Sequence, residues 1–502
     1  MTPHKTEIIL GPPGTGKTTS LITRLEQTLR TYEPERVCYI SYTRKATQEA
    51  VSRCCSALDL DPKQLPLFRT LHSLAYEYLR IKPSNIMLAK NYFEFAKEVG
   101  TFIKFTRADE YGNPEGMAPG NVMLAVCSRA KNNEISLEQA WEELDCPINF
   151  DMLSNFHEKY NKYKLINHKM DFDDIIVEYA KNGERPFISV LFIDEAQDLS
   201  KAQWKMAERL EYKTIRNYIA GDDDQSIYEW AGADTQSFID LDGKTTVLNQ
   251  SYRVPSKIHE LSTKVLSRIK NRREKEYKPK EEEGQIIYES NLLNLPIDNG
   301  EEWLLLARNN SMLGYYEQIC KEIGIFYNKK DKDNLLEKAV RSVQAWQSIQ
   351  AGGYCNGAAL KDMYDFMSNV EKVKYGSKGK VKDLDNTRLL NLEEIKQNFG
   401  LLCSKQDWQT AFDKMDDSDK SYIENALSNG CSYDIKVTIS TIHGVKGGEA
   451  QNVALFLDMS PNTFNAMKQH EDQEHRVWYV GLTRTKQNLY LLTPQTNYYY
   501  EL

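Results

Sequence analysis

Short apolar and β-branched runs bounded by turn residues recur along the chain. They lie at Glu7–Leu10, Val37–Tyr42, Val190–Ile193, Tyr218–Ala220, Thr245–Leu248, Gln285–Tyr288, Trp303–Ala307, Lys436–Ser440, Val453–Leu457 and Leu489–Leu492. Stretches with helical spacing of apolar positions separate many of them. Strand and helix alternating in this way predict parallel sheets covered on both faces, and ten strands exceed one mononucleotide-binding unit, so two α/β units are expected. Two regions break the alternation. Residues 81–170 and 330–432 are rich in Lys, Glu, Asn and aromatic residues with few strand signals, and they read as helical insertions. The charged segment from Val265 to Gly284 reads as a solvated loop, and the terminal Tyr498-Tyr499-Tyr500-Glu501-Leu502 as a frayed tail.

At 502 residues the chain is too long for one compact domain. Its 41% hydrophobic and 27% charged residues, with only 26 Gly and 16 Pro, exclude a collagen-like or wholly disordered chain. Lys and Arg (64) are outnumbered by Asp and Glu (72), so no global positive field draws it to nucleic acid or lipid, and any such binding must come from a local patch. The nine cysteines are scattered without a C-x-x-C pair, which fits free thiols in a reducing compartment rather than a disulfide scaffold or zinc ribbon. The longest apolar runs are strand-sized, far below the roughly 18 residues of a membrane span. Residues 1–10 show no basic segment followed by an apolar one. The expectation is a cytoplasmic protein, or one of the host-cell cytoplasm if viral, with no membrane partner.

Gly11-Pro12-Pro13-Gly14-Thr15-Gly16-Lys17-Thr18 satisfies G-x-x-x-x-G-K-[ST] between an apolar strand and a helix. Glycines there let backbone N–H groups wrap a β-phosphate, Lys17 reaches the β- and γ-phosphates, and Thr18 ligates Mg²⁺. A second signal is the strand Val190–Ile193 ending in Asp194-Glu195. Alternation turns the two carboxylates in different directions, so that Asp194 serves the Mg²⁺ shell and Glu195 the attacking water. Between Lys17 and Asp194 lie 176 residues, far more than a minimal nucleotide unit needs.

A series of ordered motifs then resembles the UvrD/Rep/PcrA-type superfamily 1A helicases. Ile40-Ser41-Tyr42-Thr43-Arg44-Lys45-Ala46-Thr47 is similar to motif Ia, and Arg69-Thr70-Leu71-His72-Ser73 to Ib. Asp171-Phe172-Asp173-Asp174-Ile175-Ile176 precedes the DEAQD strand. Residues 220–233, from Ala220-Gly221-Asp222 through Gln225 and Tyr228-Glu229-Trp230 to Ala233, resemble motif III. Leu248–Arg253 resembles motif IV, Thr438–Glu449 motif V and Tyr479–Lys486 motif VI. The matches span Gly11 to Lys486. The two insertions match poorly.

The resemblance implies an α/β fold of two RecA-like parallel-sheet P-loop domains with two mainly helical insertions. It implies domain 1A at 1–80 and 171–250, insertion 1B at 81–170, domain 2A at 251–330 and 433–502, and a reduced insertion 2B at 331–432. ATP with Mg²⁺ is the implied ligand. Arg253 and Arg484 become fingers on the γ-phosphate, Gln225 its sensor, Tyr252 a stack on the adenine, and Glu449 a contact to ribose or nearby waters. Thr19 stands where the family often has Arg, and no Gln-containing segment fits before the phosphate loop. For an acidic protein the strand must be held by stacking and a local groove. By resemblance Tyr42, Tyr228 and Trp230 stack bases, while Arg44, Lys45, His72 and His443 contact the backbone. The implied activity is 3′→5′ translocation on single-stranded DNA with unwinding of tailed duplex, by a monomer working with replication or repair proteins. A non-unwinding, DNA-stimulated clamp or stripping factor is the alternative. The short second insertion suggests a minimal, phage-like or accessory motor.

Overall fold

The structure is a computed structural model that describes residues 5–104, 118–144, 146–329 and 335–502. The chain divides into two compact units, one of Met1–Gln285 with Asn462–Gln487 and Leu502, the other of Ile286–Pro461 with Asn488–Glu501. Asn462–Gln487, which carries the motif VI segment, therefore falls in the first unit.

The first sheet is built from β1 (Thr6–Leu10), β2 (Val37–Ser41), β3 (Phe68–Arg69), β4 (Val190–Asp194), β5 (Arg216–Gly221) and β6 (Lys244–Val247), in the order β3-β2-β4-β5-β1-β6. Its pairs are parallel throughout. β2 and β4 are buried along their whole length, as expected of strands with both faces covered. Ile8 and Leu10 face one hydrophobic cluster and Ile9 the other, which is the period-2 alternation expressed as two cores.

The second sheet takes β7 (Gln285–Glu289), β8 (Trp303–Ala307), β9 (Tyr327–Lys329), β12 (Val437–Thr441), β13 (Ala450–Phe456) and β14 (Thr485–Leu492), in the order β7-β14-β13-β8-β12-β9. β10 (Cys355–Asn356) and β11 (Leu389–Leu390) form a separate antiparallel pair. All ten strands expected from the sequence are present. The additional β3, β9, β10 and β11 are two or three residues long, too short to leave an alternation pattern.

Residues 81–170 hold the helices Ala89–Val99, Pro119–Asn133, Leu137–Glu143 and Phe150–Ile166 around an aromatic centre, with Phe95 5.2 Å from Phe156, 5.2 Å from Tyr160 and 5.5 Å from Tyr163. This region has a hydrophobic core of its own. The second helical region, 335–428, does not: Trp346, Leu360, Ile395 and Phe412 belong to the same cluster as Trp303 and Leu305 of β8. The terminal tail is docked rather than frayed. Tyr500 is 1% exposed, its N–H donates to the Leu457 carbonyl, and the Met459 N–H donates to the Tyr498 carbonyl. Burial of this ring and the two main-chain hydrogen bonds offset the entropy lost in ordering the tail. All nine cysteines are free, and among the described residues no helix is long and apolar enough to cross a membrane.

Candidate nucleotide site and aromatic track

Parallel pairing brings the carboxyl ends of β1, β4 and β5 to one edge, with Leu10 beside Gly221 and Ser41 beside Asp194. Open parallel sheets place ligands beyond that edge. The loop leaving β1 starts with the Gly11 N–H donating to the Gly221 carbonyl (3.0 Å). It closes on itself where the Thr15 hydroxyl donates to the Pro12 carbonyl (2.8 Å). Gly11, Pro12, Pro13 and Thr15 are buried, whereas Gly16 and Thr19 are exposed. Gly14 and Gly16 sit at φ 71° and 76°, the left-handed region that suits glycine. Gly16 caps the helix Lys17–Leu29, whose buried Leu21, Ile22, Leu25 and Leu29 make its inner stripe. The first N–H groups of such a helix lack partners within it and suit an anion.

Lys17 reaches across to Glu195, Nζ to Oε1 2.9 Å. Burial disfavours its ammonium, but Glu195 and Asp194 more than offset this, so its pKa is raised. Asp194 shows the converse. Burial and the neighbouring Glu195 push its carboxyl up to about 6, against the pull of Lys17, the Glu195 N–H and the Tyr39 hydroxyl. Its Oδ2 accepts from Tyr39 Oη at 3.2 Å and from Thr18 Oγ1 at 3.4 Å. Two oxygen donors converging in this way suit Mg²⁺, which keeps waters and substrate phosphates in its shell. Among the described residues no cluster of three or more acidic, His or Cys ligands exists that would form a self-contained metal cage.

Glu195 adopts φ 56°, an uncommon left-handed conformation for a side chain of its size. Such strain collects at functional sites. The bend swings its carboxylate to Lys17 on one side and Gln197 on the other, where Gln197 Nε2 donates to Glu195 Oε2 (2.6 Å). Gln197 Oε1 accepts the Asp222 N–H (3.0 Å), Gln225 Nε2 donates to Asp222 Oδ2 (2.6 Å), and Arg484 Nη2 donates to Gln225 Oε1 (2.9 Å). Residues from four separate stretches of the sequence thus form one hydrogen-bonded path, Lys17–Glu195–Gln197–Asp222–Gln225–Arg484, made of side chains except at the Asp222 main-chain N–H. Arg484 is 2% exposed and is held also by the Val480 carbonyl (3.0 Å).

Residues 251–253 lie against the phosphate loop itself. The Ser251 hydroxyl donates to the Pro13 carbonyl (2.7 Å) and the Tyr252 N–H to the Gly14 carbonyl (2.9 Å). A Cβ on Gly14 would fall 2.3 Å from the Arg253 Cβ, so glycine permits the approach of the arginine as well as the turn. Tyr252 is 76% exposed beside this loop, a free aromatic face rather than a core tyrosine.

The three aromatics expected on a strand track come together: Tyr42 stacks on Tyr228 (6.1 Å, 14°), and Tyr228 meets Trp230 edge-on (6.5 Å, 67°). Arg44 and Lys45 are exposed in the first turn of the helix Arg44–Leu58. Cations at a helix N-terminus oppose its dipole and are tolerable where an anion is to be bound. His72 is half-buried and edge-on to Phe172 (5.8 Å); burial lowers its pKa to about 4, so it is neutral at pH 7 and offers a hydrogen bond without charge. His443, buried, and Glu449, half-buried, stand between β12 and β13 in the second unit.

The 265–284 segment is not a solvated loop throughout. Lys275 is buried against Asp222, Asp223 and Asp224, at 3.1, 2.6 and 2.8 Å. Composition hid this, because a run of charge reads as wet unless its buried counter-charges are identified. Gln197, Lys275 and Ser251 were also missed as site residues. Gln197 and Ser251 lie inside motifs already recognised, whereas nothing near Lys275 in the sequence marks it.

The N-terminal 246 residues match the UvrD/REP helicase N-terminal domain, and residues 298–496 the UvrD-like helicase C-terminal domain. Similar curated proteins include the ATP-dependent DNA helicase Rep of Buchnera aphidicola subsp. Acyrthosiphon pisum, 23% identical over 96% of this chain and 92% of that protein. ATP-dependent DNA helicase PcrA of Bacillus subtilis is 23% identical over 96% of this chain and 80% of its own length. The probable DNA helicase II homolog of Rickettsia conorii is 23% identical over 96% and 89%. With both domain models matched in order across this site, the chain belongs to the UvrD/REP helicase family.

Proposed function

We propose that this helicase hydrolyses ATP to travel 3′→5′ on single-stranded DNA and to unwind tailed duplex. The observation that carries the reading is the unbroken path from Lys17 to Arg484, because phosphoryl transfer needs little beyond positioning and charge around the γ-phosphate. In that reading Lys17 leaves Glu195 for the β- and γ-phosphates, which frees the Glu195 carboxylate to orient and deprotonate the attacking water. Thr18 and Asp194 would hold Mg²⁺, which supplies neutralisation of developing charge. Arg253 and Arg484 stabilise the transferring group, and Gln225 senses it. Tyr252 offers its face to the base and Glu449 a contact near the ribose. Residues 11–16 and Thr19 complete the cradle.

The Tyr42–Tyr228–Trp230 ladder, with Arg44, Lys45, His72 and His443 on the phosphates, would carry the strand without reading sequence. Tyr228 and Trp230 follow Gln225 within five residues, so a change at the γ-phosphate has a short way to travel to the track. Domains 1A (1–80, 171–250) and 2A (251–330, 433–502) would alternate their grip, with 81–170 and 331–432 as insertions 1B and 2B. The protein would work as a monomer on single-stranded and tailed duplex DNA, beside replication or repair proteins.

Strand displacement on duplexes with a 3′ or a 5′ single-stranded tail tests the reading. ATP-dependent displacement confined to the 3′-tailed substrate is expected. Displacement of the 5′-tailed substrate refutes the polarity. DNA-stimulated hydrolysis with no displacement on either would instead support a clamp or stripping factor.

A further inference from the structure

Residues 270–279 form a strap held on two sides. On one side lie the three aspartates of the motif III segment. Lys275, whose side chain is 1% exposed, contacts all three, and Arg272 grips Asp224 with a fork, Nε to Oδ1 2.8 Å and Nη2 to Oδ2 2.6 Å. The Arg273 N–H donates to Asp223 Oδ2 (2.8 Å). On the other side lies the helix Glu471–Leu482, which leads into Arg484. Asp472 accepts the N–H groups of Lys270 and Asn271, each at 2.9 Å, and the Tyr277 and Tyr479 hydroxyls meet at 3.1 Å. The strap therefore ties the segment bearing Gln225 to the helix that delivers the arginine.

Asp222 is the decisive contact. Its Oδ1 pairs with Lys275 at 3.1 Å and accepts the Asp224 N–H at 3.3 Å, its Oδ2 accepts from Gln225, and Gln225 in turn accepts from Arg484. A buried carboxylate engaged through both oxygens has its orientation fixed. Neutralising three adjacent buried acids would need only positive charge nearby, whereas this division of the two oxygens sets where the Gln225 amide points.

We infer that Lys275 is a positioning residue for hydrolysis, locking Asp222 so that Gln225 is held ready to engage Arg484. The inference rests on the ATPase reading above. No contact of Lys275 with nucleotide is involved: it acts through Asp222 and Gln225, so its loss should lower turnover and leave nucleotide affinity in place.

The test compares steady-state ATP hydrolysis, with saturating oligo-dT, in wild type, Lys275→Met and the double variant Asp223→Asn with Lys275→Met. The double variant removes one buried charge of each sign, which restores the balance, yet leaves Asp222 Oδ1 with only the long Asp224 N–H contact and no cation to hold it. The expected result is a kcat reduced at least about tenfold in both variants with KM for ATP within about twofold, and a double variant that melts close to wild type. Recovery of wild-type kcat in the double variant overturns the inference, since Lys275 would then act through charge balance alone. A double variant that fails to fold overturns it as well, making Lys275 a determinant of the fold first. If Lys275→Met alone does not fold, the double variant decides. A wild type without DNA-stimulated hydrolysis would defeat the ATPase reading itself, which separates the two failures.

Discussion

Lys17→Ala tests the role proposed for the lysine of the glycine-rich loop. In the free protein the side chain is only 10% exposed and paired with Glu195, so it is not the loose surface lysine that its loop position suggests. Its removal leaves the buried Asp194 beside Glu195 without this counter-charge, at a cost of up to about 3 kcal/mol, so the variant without ligand should melt no more than about 5 °C below wild type. Nucleotide binding is affected separately. A non-hydrolysable ATP analogue with Mg²⁺ at 100 times its Kd stabilises wild type by about 2.7 kcal/mol. For a cooperative unit of about 300 residues that is a rise of roughly 4 °C. A hydrogen bond from an ammonium to phosphate is worth about 2 kcal/mol, so its loss weakens Kd roughly 30-fold. At the same ligand concentration the stabilisation falls to about 0.9 kcal/mol, a shift of only about 1 °C. Turnover should fall by about 10³ or more on the proposed role of this charge at the transferring group. Thermal melts with and without the analogue, alongside an ATPase assay, measure both. A variant that keeps the full 4 °C shift and its turnover would refute the assignment of Lys17.

Three further outcomes are expected. Trp230→Ala should weaken binding of an unstructured DNA strand by about 1–3 kcal/mol, roughly 5- to 150-fold in Kd by fluorescence anisotropy; an unchanged Kd removes Trp230 from the track. Tyr500→Ala, which empties a fully buried aromatic seat, should cost about 3 kcal/mol and lower the urea midpoint of the second unit, whereas a midpoint equal to wild type would mean that the tail is unimportant there. His72 has a folded pKa of about 4, below its ordinary 6.5. Its contribution to stability is therefore present above pH 6.5 and lost as pH falls through 4, at most about 3 kcal/mol. His72→Gln should flatten the stability profile between pH 6.5 and 4, and a profile that stays as steep contradicts the burial of this ring.

The sheets and the glycine-rich loop were readable because each signal is local. Period-2 alternation marks strands of four or more residues, and G-x-x-x-x-G-K-[ST] forces the same backbone wherever it follows a strand. What escaped was pairing over distance. Lys275 carries no hint in its own neighbourhood that three aspartates fifty residues earlier will bury it, and Glu195 does not announce a left-handed backbone. Tyr498–Tyr500 looked unanchored because its seat, the end of β13, lies some forty residues away in sequence. Two- and three-residue strands such as β3 and β10 are set by what they pair with, and leave no periodicity.

The central claim is that one γ-phosphoryl group is held between Lys17 with Asp194 and the two arginines, Arg253 and Arg484. Trapping of radiolabelled ADP with Mg²⁺ and aluminium fluoride, a mimic of the group in flight, probes it most directly. Wild type should retain the complex through gel filtration, while Arg484→Ala and Arg253→Ala bind ADP yet release the mimic at once. Retention by both arginine variants equal to wild type would contradict the claim.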